Sequence, residues 1–145
     1  MILIDANLLL YAYDPSSLQH HAARNWLEST FSKPELIGLP WLTLLAFVRI
    51  STNPRALENP LSVAEAGAIV SDWLERPTVI VLNPGDRHWQ ILRDMLIKGQ
   101  ARGALVTDAH LAALAIEHGA TLATTDRDLA RFPRLKFFNP LEPNN

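Results

Sequence analysis

Three aspartates stand where a carboxylate can do chemistry: Asp5, Asp108 and Asp126. Asp5 follows the apolar run Met1-Ile-Leu-Ile4, and Asp126 follows Ala120-Thr-Leu-Ala-Thr-Thr125, so each is read at the end of a short buried strand. Asp108 lies in the first turns of an almost wholly apolar, small-residue helix over 104–119. An ionised carboxylate on a buried helix is costly unless it is paired or bound to a cation. Each acid also has a purely structural reading. Asp5 or Asn7 can cap the helix that starts behind strand one, and Asp108 can favour the positive end of its own helix. If strands one and four are neighbours, the three carboxylates converge on one edge and repel. A divalent cation removes that conflict. Carboxylate oxygens suit Mg²⁺ or Mn²⁺, while the absence of cysteine and of paired histidines disfavours zinc. Such ions bind phosphates and acidify water, so the matching reaction is hydrolysis of a phosphodiester. The chain has no GxxxxGK[ST] loop, GxSxG elbow or GxGxxG fingerprint.

The elements that must position these acids alternate. A strand at 1–4 leads into a helix from about residue 6. Asp14-Pro15-Ser16 then starts an amphipathic helix over 18–31, with Ala23, Trp26, Leu27 and Phe31 on one face. His20 and His21 are adjacent, point to different faces, and are read as surface or capping residues. Strand two covers 35–39. Residues 41–51, Trp-Leu-Thr-Leu-Leu-Ala-Phe-Val-Arg-Ile-Ser, form a helix apolar nearly all round, which predicts burial on more than one side and a partner surface such as a dimer contact. Ser62 and Glu65 make a capping box for a helix to Glu75. Strand three is Thr78–Leu82. Asp86 opens a helix with Trp89, Leu92, Met95 and Leu96 as its apolar stripe. Strand four is 120–125, a short turn follows at 129–132, and Leu135–Phe138 is the last strand. Strand–helix alternation with about five strands predicts an α/β fold: a three-layer α/β/α sandwich on a mostly parallel sheet. One domain spans 1–140, with a flexible tail at 141–145.

Composition agrees. At 145 residues and 48% apolar, the chain suits one domain with a proper core. No apolar run is long enough to span a membrane. The N-terminus carries Asp5 where a signal peptide would be apolar, so a cytoplasmic protein is expected. The net charge of −2 gives no global field for nucleic acid, so RNA contact must be local. Arg87, Arg93 and Lys98 on the helix after strand three, with Arg102 beyond it, are read either as a solvated face or as a phosphate-contacting strip. Arg49, the one charge in the 41–51 helix, is read as pairing with a site carboxylate or lying at an interface.

Ile4-Asp5-Ala6-Asn7, Val106-Thr107-Asp108-Ala109 before an Ala-rich helix, and Ala123-Thr-Thr-Asp126-Arg-Asp128 after a strand resemble a PIN domain. More narrowly, the chain is similar to VapC toxins of bacterial type II toxin–antitoxin pairs. The likeness extends through His20-His21-Ala22-Ala23, Pro40-Trp41 to Asn53-Pro54, and Phe132-Pro133. It implies a Mg²⁺- or Mn²⁺-dependent endoribonuclease, a homodimer, and a VapB-like antitoxin that covers the site. Asp5, Asp108 and Asp126 match family acids as catalytic and metal-binding residues. Asn7, Thr125 and Asp128 fall at supporting positions. One departure stands out: where the family usually has a Glu in the helix after strand two, this chain has Ala46. That motivates an alternative, a catalytically inactive PIN-like module binding RNA or a partner. A third reading, a phosphomonoester hydrolase or phospho-acceptor with Asp5 as nucleophile, would want Asp where the chain has Asn7.

Overall fold

A computed structural model describes residues 1–142. Its elements run β1 (Ile2–Ile4), α1 (Ala6–Ala12), α2 (His20–Phe31), β2 (Ile37–Pro40), α3 (Trp41–Ser51), α4 (Val63–Glu75), β3 (Val79–Leu82), α5 (His88–Lys98), α6 (Leu105–Glu117), β4 (Thr121–Ala123), a 3₁₀ turn (Arg127–Arg131) and β5 (Phe137–Phe138). The sheet order is β3-β2-β1-β4-β5, and every pairing is parallel. The α/β sandwich expected from the alternation is therefore present, with a wholly parallel sheet.

Strand periodicity divides the core. Successive side chains point to opposite faces, so Leu3 and Leu122 join Met95, Ala112 and Leu114 on the α5–α6 side. Ile4 and Ala123 join Leu8, Leu44, Phe47 and Trp73 on the α1–α4 side. Gly38 lets β2 pack closely, because a Cβ there would lie 2.5 Å from Leu82 Cδ1 and force that side chain to shift. β1 is central. The chain leaves it toward β2 and β3 on one side and returns to β4 and β5 on the other, and such a reversal opens a crevice outside the strand ends.

Local signals behave as their chemistry demands at α4. Ser62 Oγ accepts from the Glu65 N–H, and Glu65 Oε1 accepts from the Ser62 N–H, both at 3.0 Å. They fail at α5. The helix starts at His88 rather than Asp86, and no adjacent side chain caps it. Glu117 of α6 does so from across the seam, accepting the N–H groups of Gly85 (2.9 Å) and Arg87 (3.0 Å). The expected apolar stripe of α5 also shifts: Ile91 and Met95 are buried, whereas Trp89 is 64% exposed. Trp89 lies about 120° around the helix from Met95, off the core face.

The 41–51 helix buries one side only, through Thr43, Leu44, Phe47 and Ser51, and leaves Trp41 and Leu45 exposed. Its all-round apolarity is thus not consumed by this chain's own core. At the C-terminus, Leu141 packs against the α1–α4 core, and its N–H donates to Asn139 Oδ1. Of the tail expected at 141–145, residues 143–145 lie outside the described residues. Among the described residues no helix is long and apolar enough to cross a membrane.

Candidate active site

Because β1 pairs with β4, Asp5 and Asp126 leave the sheet side by side. The Asp5 N–H donates to Ala123 O at 3.0 Å, extending the ladder one residue past β1. Asp5 occupies the cap position of α1, yet its side chain makes no capping bond. Its Oδ2 instead accepts from the Thr124 hydroxyl at 2.8 Å. The same hydroxyl accepts the Asp126 N–H at 3.0 Å. Thr124 is 1% exposed, so its one O–H and one of its lone pairs are committed to aligning two acids. Thr125, the expected support, is half-buried and has no side-chain hydrogen bond among the described residues. Backbone alternation decides between the two threonines, and the doublet hid which one faces β1.

Asp126 also begins the 3₁₀ turn, its Oδ1 accepting the Asp128 N–H at 2.9 Å. This short turn carries Asp128 toward α6. One carboxylate oxygen each from Asp108, Asp126 and Asp128 lie within 4.8 Å of one another. Asp128, expected at a supporting position, contributes one of these three oxygens, and Asp5 does not.

The electrostatics record the crowding. Burial, followed by repulsion from Asp126, Asp5 and Asp128, pushes Asp108 up to about 6 against the opposing pull of Arg131. Burial also raises Asp5, opposed by the Thr124 hydroxyl and the Ala6 N–H and reinforced by Asp126. Arg131 was not foreseen as a site residue. Its Nε donates to Asp128 O (3.3 Å) and its Nη1 to Gly99 O (3.0 Å), which ties the acid-bearing turn to the end of α5. The donor set is oxygen only, and after burial it is the like charges of Asp126, Asp5 and Asp128 that raise Asp108. Both features fit a hard divalent cation, whose charge would relieve the repulsion.

The remaining expected residues distribute unevenly. Asn7 is exposed on α1, without a side-chain hydrogen bond among the described residues. Ala46 is partly buried on α3, a helix with no acid anywhere in it. The inactive-module alternative that rested on Ala46 is not favoured, since Asp108, Asp126 and Asp128 gather, with Asp5 near enough to repel Asp108, without any contribution from α3. Arg49 is exposed and, among the described residues, pairs with no carboxylate. Arg87 and Arg93 line a groove along α5. Lys98 is engaged with Asp94 at 3.2 Å. Arg102 is exposed in the loop between α5 and α6. His110 turns into the α5 seam rather than toward the acids: its Nδ1 lies 2.9 Å from His88 Nε2. Burial lowers the pKa of both imidazoles, outweighing Glu117 beside His88.

The chain is similar to known proteins in sequence and in fold. The PIN domain family profile matches residues 2–135. Ribonuclease VapC37 of Mycobacterium tuberculosis is 40% identical over 140 residues, covering 97% of each chain. Ribonuclease VapC33 of the same organism is 42% identical over 141 residues, covering 97% of this chain and 99% of that one. Among solved structures, VapBC2 from Rickettsia felis, bound to a DNA fragment from its promoter, superposes with a TM-score of 0.67 at 18% identity, over 96% of this chain and 98% of that one. The sarcin–ricin-loop-cleaving toxin VapC20 of M. tuberculosis gives 0.64 at 16% identity, over 94% and 99%. At those identities the superpositions speak to the fold, and the sequence relatives and family profile speak to kinship. This chain belongs to the PIN domain family and, within it, to the VapC group.

Proposed function

We propose that this chain is the toxin of a type II toxin–antitoxin pair, an endoribonuclease that hydrolyses RNA phosphodiester bonds with Mg²⁺ or Mn²⁺ held among Asp5, Asp108, Asp126 and Asp128. The observation that carries this reading is the carboxylate cluster, three of whose oxygens lie within 4.8 Å with Arg131 as the opposing cation near Asp108. The names of the sequence relatives, ribonucleases of the VapC group, support the same reaction. Bound there, a divalent cation supplies counter-charge for a phosphate and acidifies water. The chain's own residues prepare the place. Thr124 orients the Asp5 carboxylate and pins the backbone of Asp126. Asp126 shapes the turn that delivers Asp128, and Arg131 holds that turn against α5. Asp108 stands on a helix packed deep in the core, which fixes its position. Asp128 supplies the additional carboxylate that α3 lacks at Ala46.

The partners follow from the same reading. A VapB-like antitoxin is the cognate partner, as the VapBC solved structures suggest. The exposed Trp41 and Leu45 of α3 are the contact between two copies. The protein acts in the cytoplasm, where its RNA is.

The test is cleavage of a mixed cellular RNA pool by purified protein with Mg²⁺, with Mn²⁺ and with chelator, beside an Asp5→Asn protein of similar side-chain volume. The expected result is cleavage that needs the metal and disappears in Asp5→Asn. Metal-independent cleavage, or equal cleavage by Asp5→Asn, would refute the carboxylate mechanism.

A further inference from the structure

The side of α5 turned away from the core presents Trp89, Arg93 and Ile97, each one helical turn after the last, with Trp89 and Ile97 64% and 62% exposed. With Arg87 ahead of the helix and Arg134 from the segment beyond the 3₁₀ turn, they line an open groove of about 510 Å³. Asp94 is the one carboxylate in that lining. It is already engaged, by Arg134 Nη2 at 3.3 Å and by Lys98 Nζ at 3.2 Å. Among the described residues, neither Arg87 nor Arg93 meets a carboxylate. Two guanidiniums and a large indole therefore stand in water with no use inside the fold, on a chain whose net charge is −2.

Exposed indole beside uncompensated arginine is the combination that grips single-stranded nucleic acid. A base of any identity stacks on the ring, and guanidinium forks hold the phosphates on either side. The groove is also tied to the acid-bearing segment. Arg134 lies on the segment that carries Asp126 and Asp128, and Arg131 of that segment binds Gly99 O at the C-terminal end of α5. We infer that the α5 groove binds a single-stranded stretch of the RNA substrate, with Trp89 stacking a base and Arg87, Arg93 and Arg134 contacting phosphates. This rests on the nuclease reading and adds the place on the chain that holds an unpaired stretch, because base pairing hides the faces that Trp89 needs.

The test reads binding, not cleavage. Fluorescein-labelled oligo(U) and oligo(A) of roughly ten nucleotides, and a blunt RNA duplex of similar length, are titrated in chelator and followed by anisotropy. The proteins are wild type, Trp89→Ala, Trp89→Phe and the Arg87→Gln/Arg93→Gln double variant. Trp89→Ala is expected to weaken both single strands about ten-fold or more while Trp89→Phe keeps most of the affinity. Duplex binding should not respond to Trp89→Ala. The double arginine variant should weaken binding and flatten its salt dependence by about 0.7 per lost phosphate contact. Wild-type single-strand affinity in Trp89→Ala overturns the inference. So does a Trp89→Ala protein with unchanged RNA binding but altered self-association on sedimentation, which would make the groove a protein contact. Because no metal is present, failure here is separate from failure of the nuclease reading, which the metal-dependent cleavage assay decides.

Discussion

Asp108→Asn is expected to stabilise the metal-free protein at neutral pH, although it removes an acid from the first turn of a helix. The sign follows from burial and then from the carboxylate cluster. In the fold Asp108 is pushed up to about 6 from an ordinary value of 3.8, by burial first and then by Asp126, Asp5 and Asp128. A gap of about two pKa units is worth nearly 3 kcal/mol in a dry site. Asp108 is partly exposed, so solvent screening reduces this, and the favourable helix end takes back a few tenths more. About 1 kcal/mol of destabilisation remains, or roughly 3 °C in melting temperature for a domain of this size. A folded-state pKa above the unfolded one means that the folded protein binds the extra proton more tightly. The penalty is therefore absent below about pH 4, grows as pH rises toward about 6, and is constant above. Urea unfolding in chelator at about pH 7.5 should show Asp108→Asn more stable than wild type, with the gap closing at about pH 4. Adding Mg²⁺ or Mn²⁺ should reverse the order, since a cation that binds only the folded cluster stabilises wild type by mass action. If Asp108→Asn is no more stable in chelator at neutral pH, or if the gap ignores pH, burial and like-charge repulsion do not penalise the ionised Asp108 in the fold.

Thr124→Val removes the donor to Asp5 and the acceptor for the Asp126 N–H without changing the shape of the side chain. It should cost about 1–3 kcal/mol in urea unfolding and sharply reduce metal-dependent cleavage, whereas Thr124→Ser keeps both near wild type. Glu117→Ala leaves the N–H groups of Gly85 and Arg87 without their acceptor. A loss of about 1–2 kcal/mol is expected, with faster amide exchange confined to the start of α5. Burial alone would raise Glu117, but the two N–H bonds and the imidazoles of His88 and His118 outweigh it and hold its pKa below the ordinary value. That stabilisation is present above about pH 4.5 and is lost as pH falls through the depressed pKa, so the wild-type advantage over Glu117→Ala should disappear in acid.

Much of this protein is visible in its residues because the informative patterns are local. Apolar runs that end in Asp5 and in Asp126 mark two strands and the ends at which these acids stand. The Ser62–Glu65 box marks the start of α4, and strand–helix alternation marks a parallel sheet. What depended on contacts between distant segments was not visible. The order β3-β2-β1-β4-β5 sets Asp5 beside Asp126. Two adjacent threonines look alike in the chain, and only the pairing of β4 with β1 selects Thr124 for Asp5, 119 residues away. Asp128 joins the cluster because a 3₁₀ turn, held to α5 by Arg131, swings it toward α6. Trp89 fits a helical apolar pattern and still faces water, because the packing of α5 on α6 chose Ile91 and Met95 as the buried side. Periodicity reports which residues share a face of one element. Which face meets which neighbour is an energy shared between elements, and only the folded chain decides it.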